Sequence, residues 1–97
     1  MRKVLAAAIG CATIAVAVVA AAEPPVGAVS CSGCHPSSAR VASPVPRLAG
    51  RDKAELAKAM LDFRSGARTG TVMDRIAKGF TDDEIQAIAA WYAAQQP

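Results

Sequence analysis

Two hydropathy regimes divide the chain. Behind Met1, Arg2 and Lys3, the stretch from Val4 to Ala22 carries no charge and consists largely of Ala, Val and Ile. From Glu23 onward, polar and apolar residues alternate at helical spacing. A basic start, an apolar stretch and small residues at Ala20-Ala21-Ala22 before Glu23 have the form of a secretory signal peptide cleaved after Ala22. At 19 residues the run also lies within the ~17–25 that span a bilayer, so a retained anchor is the alternative. Its alanine content and small-residue end favour cleavage. Residues 1–22 are therefore expected to be a signal peptide and 23–97 the working domain.

The pattern beyond Glu23 predicts four helices and no strand, an all-α fold. Glu23-Pro24-Pro25 reads as a linker. Val26 to His35 is a short helix stopped by Pro36. Pro36, Pro44 and Pro46 with small residues make 36–50 a loop. Leu56, Met60 and Phe63 follow the 4-then-3 spacing of a buried stripe, in a helix from Asp52 to about Arg64 that Gly66 ends. A short helix covers Val72 to Lys78, closed by Gly79. Thr81-Asp82-Asp83-Glu84 has the form of a capping box. The helix it opens runs to about Ala94, with Ile85, Ile88, Ala89 and Tyr92 on one face.

Composition sharpens this picture. The 53% hydrophobic content and the mean hydropathy of +0.25 are raised by the N-terminal run. Removing Arg2 and Lys3 from the eleven basic residues leaves nine against eight acidic ones, a formal +1. There is no basic run with interleaved aromatics, so nucleic acid is not an expected partner. A domain of some 75 residues is marginal for a self-sufficient core and calls for a staple.

Cys31-Ser32-Gly33-Cys34-His35 supplies the chemistry for one. C-x-x-C-H is the attachment signature of a c-type haem: each thiol adds to a vinyl group of the porphyrin and the histidine lies under the iron. A redox disulfide or half a zinc site would also use C-x-x-C. His35 is the only histidine, however, and beyond residue 22 only three Cys/His ligands exist, one short of a structural zinc site. A thioredoxin-like enzyme would need a βαβ pattern, which is absent. Covalent haem attachment takes place outside the cytoplasm, which agrees with an export signal. Cys11, in the apolar run, sits in the outline of a lipoprotein box, but the run continues well past it.

Iron held by His35 needs a sixth ligand or an open position. Met60 and Met73 are the methionines outside the apolar run. Met60 lies in the buried stripe. Met73 follows a Gly/Thr-rich loop, 38 positions after His35, far enough for the chain to reach the opposite haem face. We expect His35/Met73 ligation, which raises the potential and favours electron transfer.

Cys31-Ser32-Gly33-Cys34-His35, Pro46-Arg47-Leu48, Met73 and Trp91-Tyr92 together resemble a class I c-type cytochrome over nearly the whole of 23–97. The resemblance implies a small helical fold wrapped around one covalent haem. It also implies that the Pro46 carbonyl accepts a hydrogen bond from His35 and that Leu48 packs on the porphyrin. Asp62 to Arg68 and Thr71 to Phe80 resemble, more narrowly, the cytochrome subunit of flavocytochrome c sulfide dehydrogenases. That implies a periplasmic haem subunit accepting electrons from a flavoprotein. Free monohaem carriers have similar helices and give the alternative, so an enzymatic role stays open. Pro36 departs from the family, which commonly has glycine after the motif histidine. A thiol–disulfide oxidoreductase and an open-iron haem sensor are the remaining possibilities.

Overall fold

The computed structural model describes residues 3–18 and 22–97. Residues 3–18 are exposed and carry no regular element. Most of the basic start and of the cleavage signal, namely Met1, Arg2, Val19, Ala20 and Ala21, lies outside the described residues. Four helices follow: α1 (Ala28–Cys31), α2 (Lys53–Ser65), α3 (Met73–Ala77) and α4 (Asp82–Ala93). Among the described residues there is no strand, and no helix is long and apolar enough to cross a membrane.

The 13 residues of α2 are mostly strong helix formers, and its ends are fixed locally. Asp52 stands at the N-cap in extended conformation, and its Oδ1 accepts the Glu55 N–H at 2.9 Å. Such a cap is worth about 0.5–2 kcal/mol. Gly66 closes the helix at φ 84°, in the left-handed region that glycine enters without penalty. Arg51–Glu55 and Lys58–Asp62 form i,i+4 pairs along its exposed side.

The expected capping box opens α4. The Glu84 N–H donates to Thr81 Oγ1 at 3.2 Å, and the Thr81 N–H donates to Glu84 Oε2 at 3.0 Å. Asp82, Asp83 and Glu84 then place three carboxylates at the positive end of the helix dipole. Ile85, Ile88, Ala89 and Tyr92 are buried together, and with Ala28, Leu56 and Ala57 they form the core. α4 packs mainly on α2, α3 packs on α2, and α1 packs on α4. Arg64 joins the end of α2 to the start of α4 by donating to the Phe80 carbonyl at 3.0 Å and pairing with Asp82.

Helix α1 is shorter than the sequence implies. Its regular part ends at Cys31, and hydrogen-bonded turns continue to His35: Gly33 N–H to Ser30 O, 3.1 Å; Cys34 N–H to Cys31 O, 3.2 Å; His35 N–H to Cys31 O, 2.9 Å. Pro36 leaves this last bond intact, because a proline constrains the residues before it but removes only its own N–H. The start is delayed by Gly27, at φ 86°, where an added Cβ would stand 2.5 Å from Phe80 Cε1. Replacing Gly27 with alanine would force a left-handed backbone and displace Phe80. Denaturant unfolding of the haem-loaded protein should show a loss of at least about 1–2 kcal/mol. An unchanged midpoint would mean that Gly27 is not needed for the entry to α1.

Candidate functional site

The turn after α1 presents two free thiols and the single imidazole within five residues. Cys31 is half-buried and Cys34 exposed, and neither is in a disulfide. Burial pushes the Cys31 thiol above its ordinary range, so it stays protonated at neutral pH. His35 Nδ1 lies 2.6 Å from the Pro46 carbonyl oxygen. A carbonyl can only accept, so Nδ1 carries the proton. In the neutral ring Nε2 then holds the lone pair and is the nitrogen free to bind a metal. A histidine donating its other N–H to a carbonyl is the usual arrangement of a metal ligand.

A tyrosine holds this turn against α4. The buried Tyr92 hydroxyl donates to the Ala28 carbonyl at 2.5 Å. Its single proton is thereby used, so Ser32 Oγ, 3.2 Å away, donates to it. Burial pushes the tyrosine hydroxyl upward, which keeps it neutral and able to donate. A small cavity of about 150 Å³ lies beside His35, walled by Ser32, Leu48, Trp91 and Tyr92 among others.

Of the residues read as candidates, Cys31, Cys34, His35 and Pro46 come together. Leu48 is half-buried and packs on the core beside His35. Met73 opens α3 and is half-buried. Met60 packs against the core cluster, whereas Met73 is not among the side chains packed on it. The residue pattern did not reveal Tyr92 as the anchor of the turn or Ser32 as its donor. They lie 60 positions apart, and no local signal links them.

The arrangement suits a covalently held tetrapyrrole. It offers two free thiols, an imidazole with Nε2 available, and apolar side chains at Leu48, Met60, Leu61, Phe80 and Trp91 that are only half-covered by protein. The fold and site thus define a small all-α haem protein. No family model matches the chain. It is 32% identical over 81 residues to cytochrome c-554(548) of Halomonas halodenitrificans, covering 79% of this chain and 95% of that one. It is 41% identical over 64 residues to the cytochrome subunit of sulfide dehydrogenase of Chlorobaculum tepidum, covering 66% and 58%. Over 65 residues it is 43% identical to the thiosulfate dehydrogenase electron acceptor of Stutzerimonas stutzeri, covering 65% and 30%. The chain thus spans less than two thirds of the length of the latter two proteins. The chain belongs to the c-type cytochromes, with a small class I fold and covalently bound haem c as cofactor. Its relatives include electron-transfer proteins named for sulfide and thiosulfate dehydrogenases.

Proposed function

We propose that this protein is a periplasmic electron-transfer cytochrome. Cys31 and Cys34 would hold the haem through thioethers, His35 Nε2 and the Met73 sulfur would ligate its iron, and Leu48 would pack on the ring. The single observation that carries this reading is the His35 Nδ1–Pro46 O bond of 2.6 Å. It fixes the tautomer and the ring orientation that iron ligation by Nε2 requires. The bound haem supplies a one-electron couple between ferric and ferrous iron. With His35 and Met73 as ligands the iron would have no open position for a sensor, and with both thiols in thioethers no pair would remain for thiol–disulfide exchange, so both of those readings fall behind. Residues 1–22 direct export and are removed after Ala22, leaving 23–97 as the cytochrome domain, without a membrane span.

As partner we propose a flavoprotein sulfide dehydrogenase, with this chain as its haem subunit. The flavoprotein would oxidise sulfide by two electrons to the level of elemental sulfur, and this chain would take those electrons from it one at a time. Beside Met73, Val72 and Ile76 are 53% and 40% exposed, an apolar surface suited to a fixed partner. Exposed Arg75 on the same short helix and Lys78 at its C-cap favour the second reading, a free carrier that docks through charge. Mixing the purified cytochrome with a sulfide-oxidising flavoprotein separates the two. A stable complex whose haem is reduced on adding sulfide is the expected result. A lone monomer exchanging electrons only by salt-sensitive collision would make the protein a free carrier.

A further inference from the structure

Arg47 Nη1 is buried and has no hydrogen-bond partner, the one such side-chain atom among the described residues. Three other arginines are engaged: Arg51 pairs with Glu55, Arg64 with Asp82, and Arg68 lies over the Phe63 ring at 4.7 Å. A guanidinium stays charged at any accessible pH and offers five donors. Leaving one of those donors buried and unpaired is costly, and more so for a charged group than for a neutral one. The missing acceptor is therefore expected to be an anion.

The position of Arg47 in the chain indicates which one. It stands between Pro46, whose carbonyl takes the His35 N–H, and Leu48, which lines the cavity beside His35. Both neighbours thus serve the proximal side of the cofactor. Haem has two acid groups, its propionates, on the pyrrole rings that do not carry the vinyl groups used by Cys31 and Cys34. Carboxylate and guanidinium match as a two-pronged pair. We propose that Arg47 donates through Nη1 to a haem propionate, anchoring the acid edge of the ring and compensating its charge near the iron. This rests on covalent haem at Cys31 and Cys34. Arg47 is then a positioning residue that holds the potential up, because a bare carboxylate near the iron favours the ferric state.

The test compares the haem-loaded protein with Arg47→Gln and Arg47→Lys. Covalent haem is read first, as colour that stays with the denatured polypeptide. If the parent itself carries none, the reading of Cys31 and Cys34 fails, and this proposal with it. With haem attached, Arg47→Gln should lower the reduction potential. Arg47→Lys, which keeps the charge, should recover part of the shift, and the difference should shrink as salt rises. A parent-like potential in Arg47→Gln, or equal shifts in both variants, would overturn the proposal. The parent protein gives an independent measurement should a variant fail to mature. Nuclear magnetic resonance of its ferric form should show Arg47 guanidinium protons that exchange slowly and are broadened by the iron. Sharp, fast-exchanging signals would sink the pairing. So would a potential that changes when chloride is exchanged for phosphate at constant ionic strength, since the acceptor would then be a free anion.

Discussion

Replacing Cys31 and Cys34 together with alanine should abolish covalent haem and leave the 23–97 region largely unfolded. The reason lies in how little protein the protein buries. Among the described residues the buried apolar ones are Ala28, Leu56, Ala57, Ala77, Ile85, Ile88, Ala89 and Tyr92, and half of these are alanines. Among the large side chains of the described residues, Ile85 alone is less than 2% exposed. At about 25 cal/mol per Å² of apolar surface, a core of this size stands barely above the ordering entropy of the chain. Leu48, Met60, Leu61, Phe80 and Trp91 are half-covered, and a porphyrin is the body large and apolar enough to complete their burial. Far-UV circular dichroism of the double variant should lose most of its helical signal. Extraction with acidified organic solvent should leave no haem on the polypeptide. A double variant that keeps parent-like helicity and cooperative unfolding would show that the helices stand without the cofactor. Haem that resists extraction would show that the thioethers are elsewhere.

The helices that could be read from the residues are those whose ends are set by chemistry within four positions. The Thr81/Glu84 box, the Asp52 cap and Gly66 are of that kind, and α2 and α4 begin and end within a residue or two of the expected places. The stripe on α2 was legible in spacing but uneven in depth: Leu56 is buried, while Met60 and Phe63 are half-buried. The α-helical part of α1 falls short of expectation at both ends: its start is set by the long-range approach of Gly27 to Phe80, and past Cys31 the chain continues as hydrogen-bonded turns. In the site, C-x-x-C-H announces its own chemistry. The His35–Pro46 bond joins residues 11 apart across an irregular loop, and it was accessible through family resemblance rather than through pattern. Tyr92 and Arg47 read as a helix residue and a loop cation in sequence. What distinguishes them is a tertiary fact in each case, a hydroxyl under Ala28 and a guanidinium nitrogen shut away from water.

Met73→Ala and Met60→Ala should have opposite consequences. If Met73 is the sixth ligand, its removal should abolish the sulfur-to-iron charge-transfer band and let an added ligand such as imidazole bind the iron. The reduction potential should fall by roughly a few hundred millivolts, within the ~0.8 V range that axial ligands control. The direction follows from the thioether, a soft ligand that stabilises ferrous iron over ferric. Unfolding in denaturant should shift only through the lost ligand bond, which forms in the folded state alone, since Met73 is not packed on the core. Met60 packs against that core and is half-buried. Truncating it should therefore cost stability, about 2 kcal/mol, at the low end for a methionine that is not wholly enclosed. The band and the potential should stay as in the parent. The two residues lie on different elements, α3 and α2, so the effects should be separable by measuring spectrum and denaturation midpoint on the same samples. Loss of the band in Met60→Ala, with the band retained in Met73→Ala, would reverse the ligand assignment. It would also require the loop before α3 to serve some purpose other than delivering sulfur to iron.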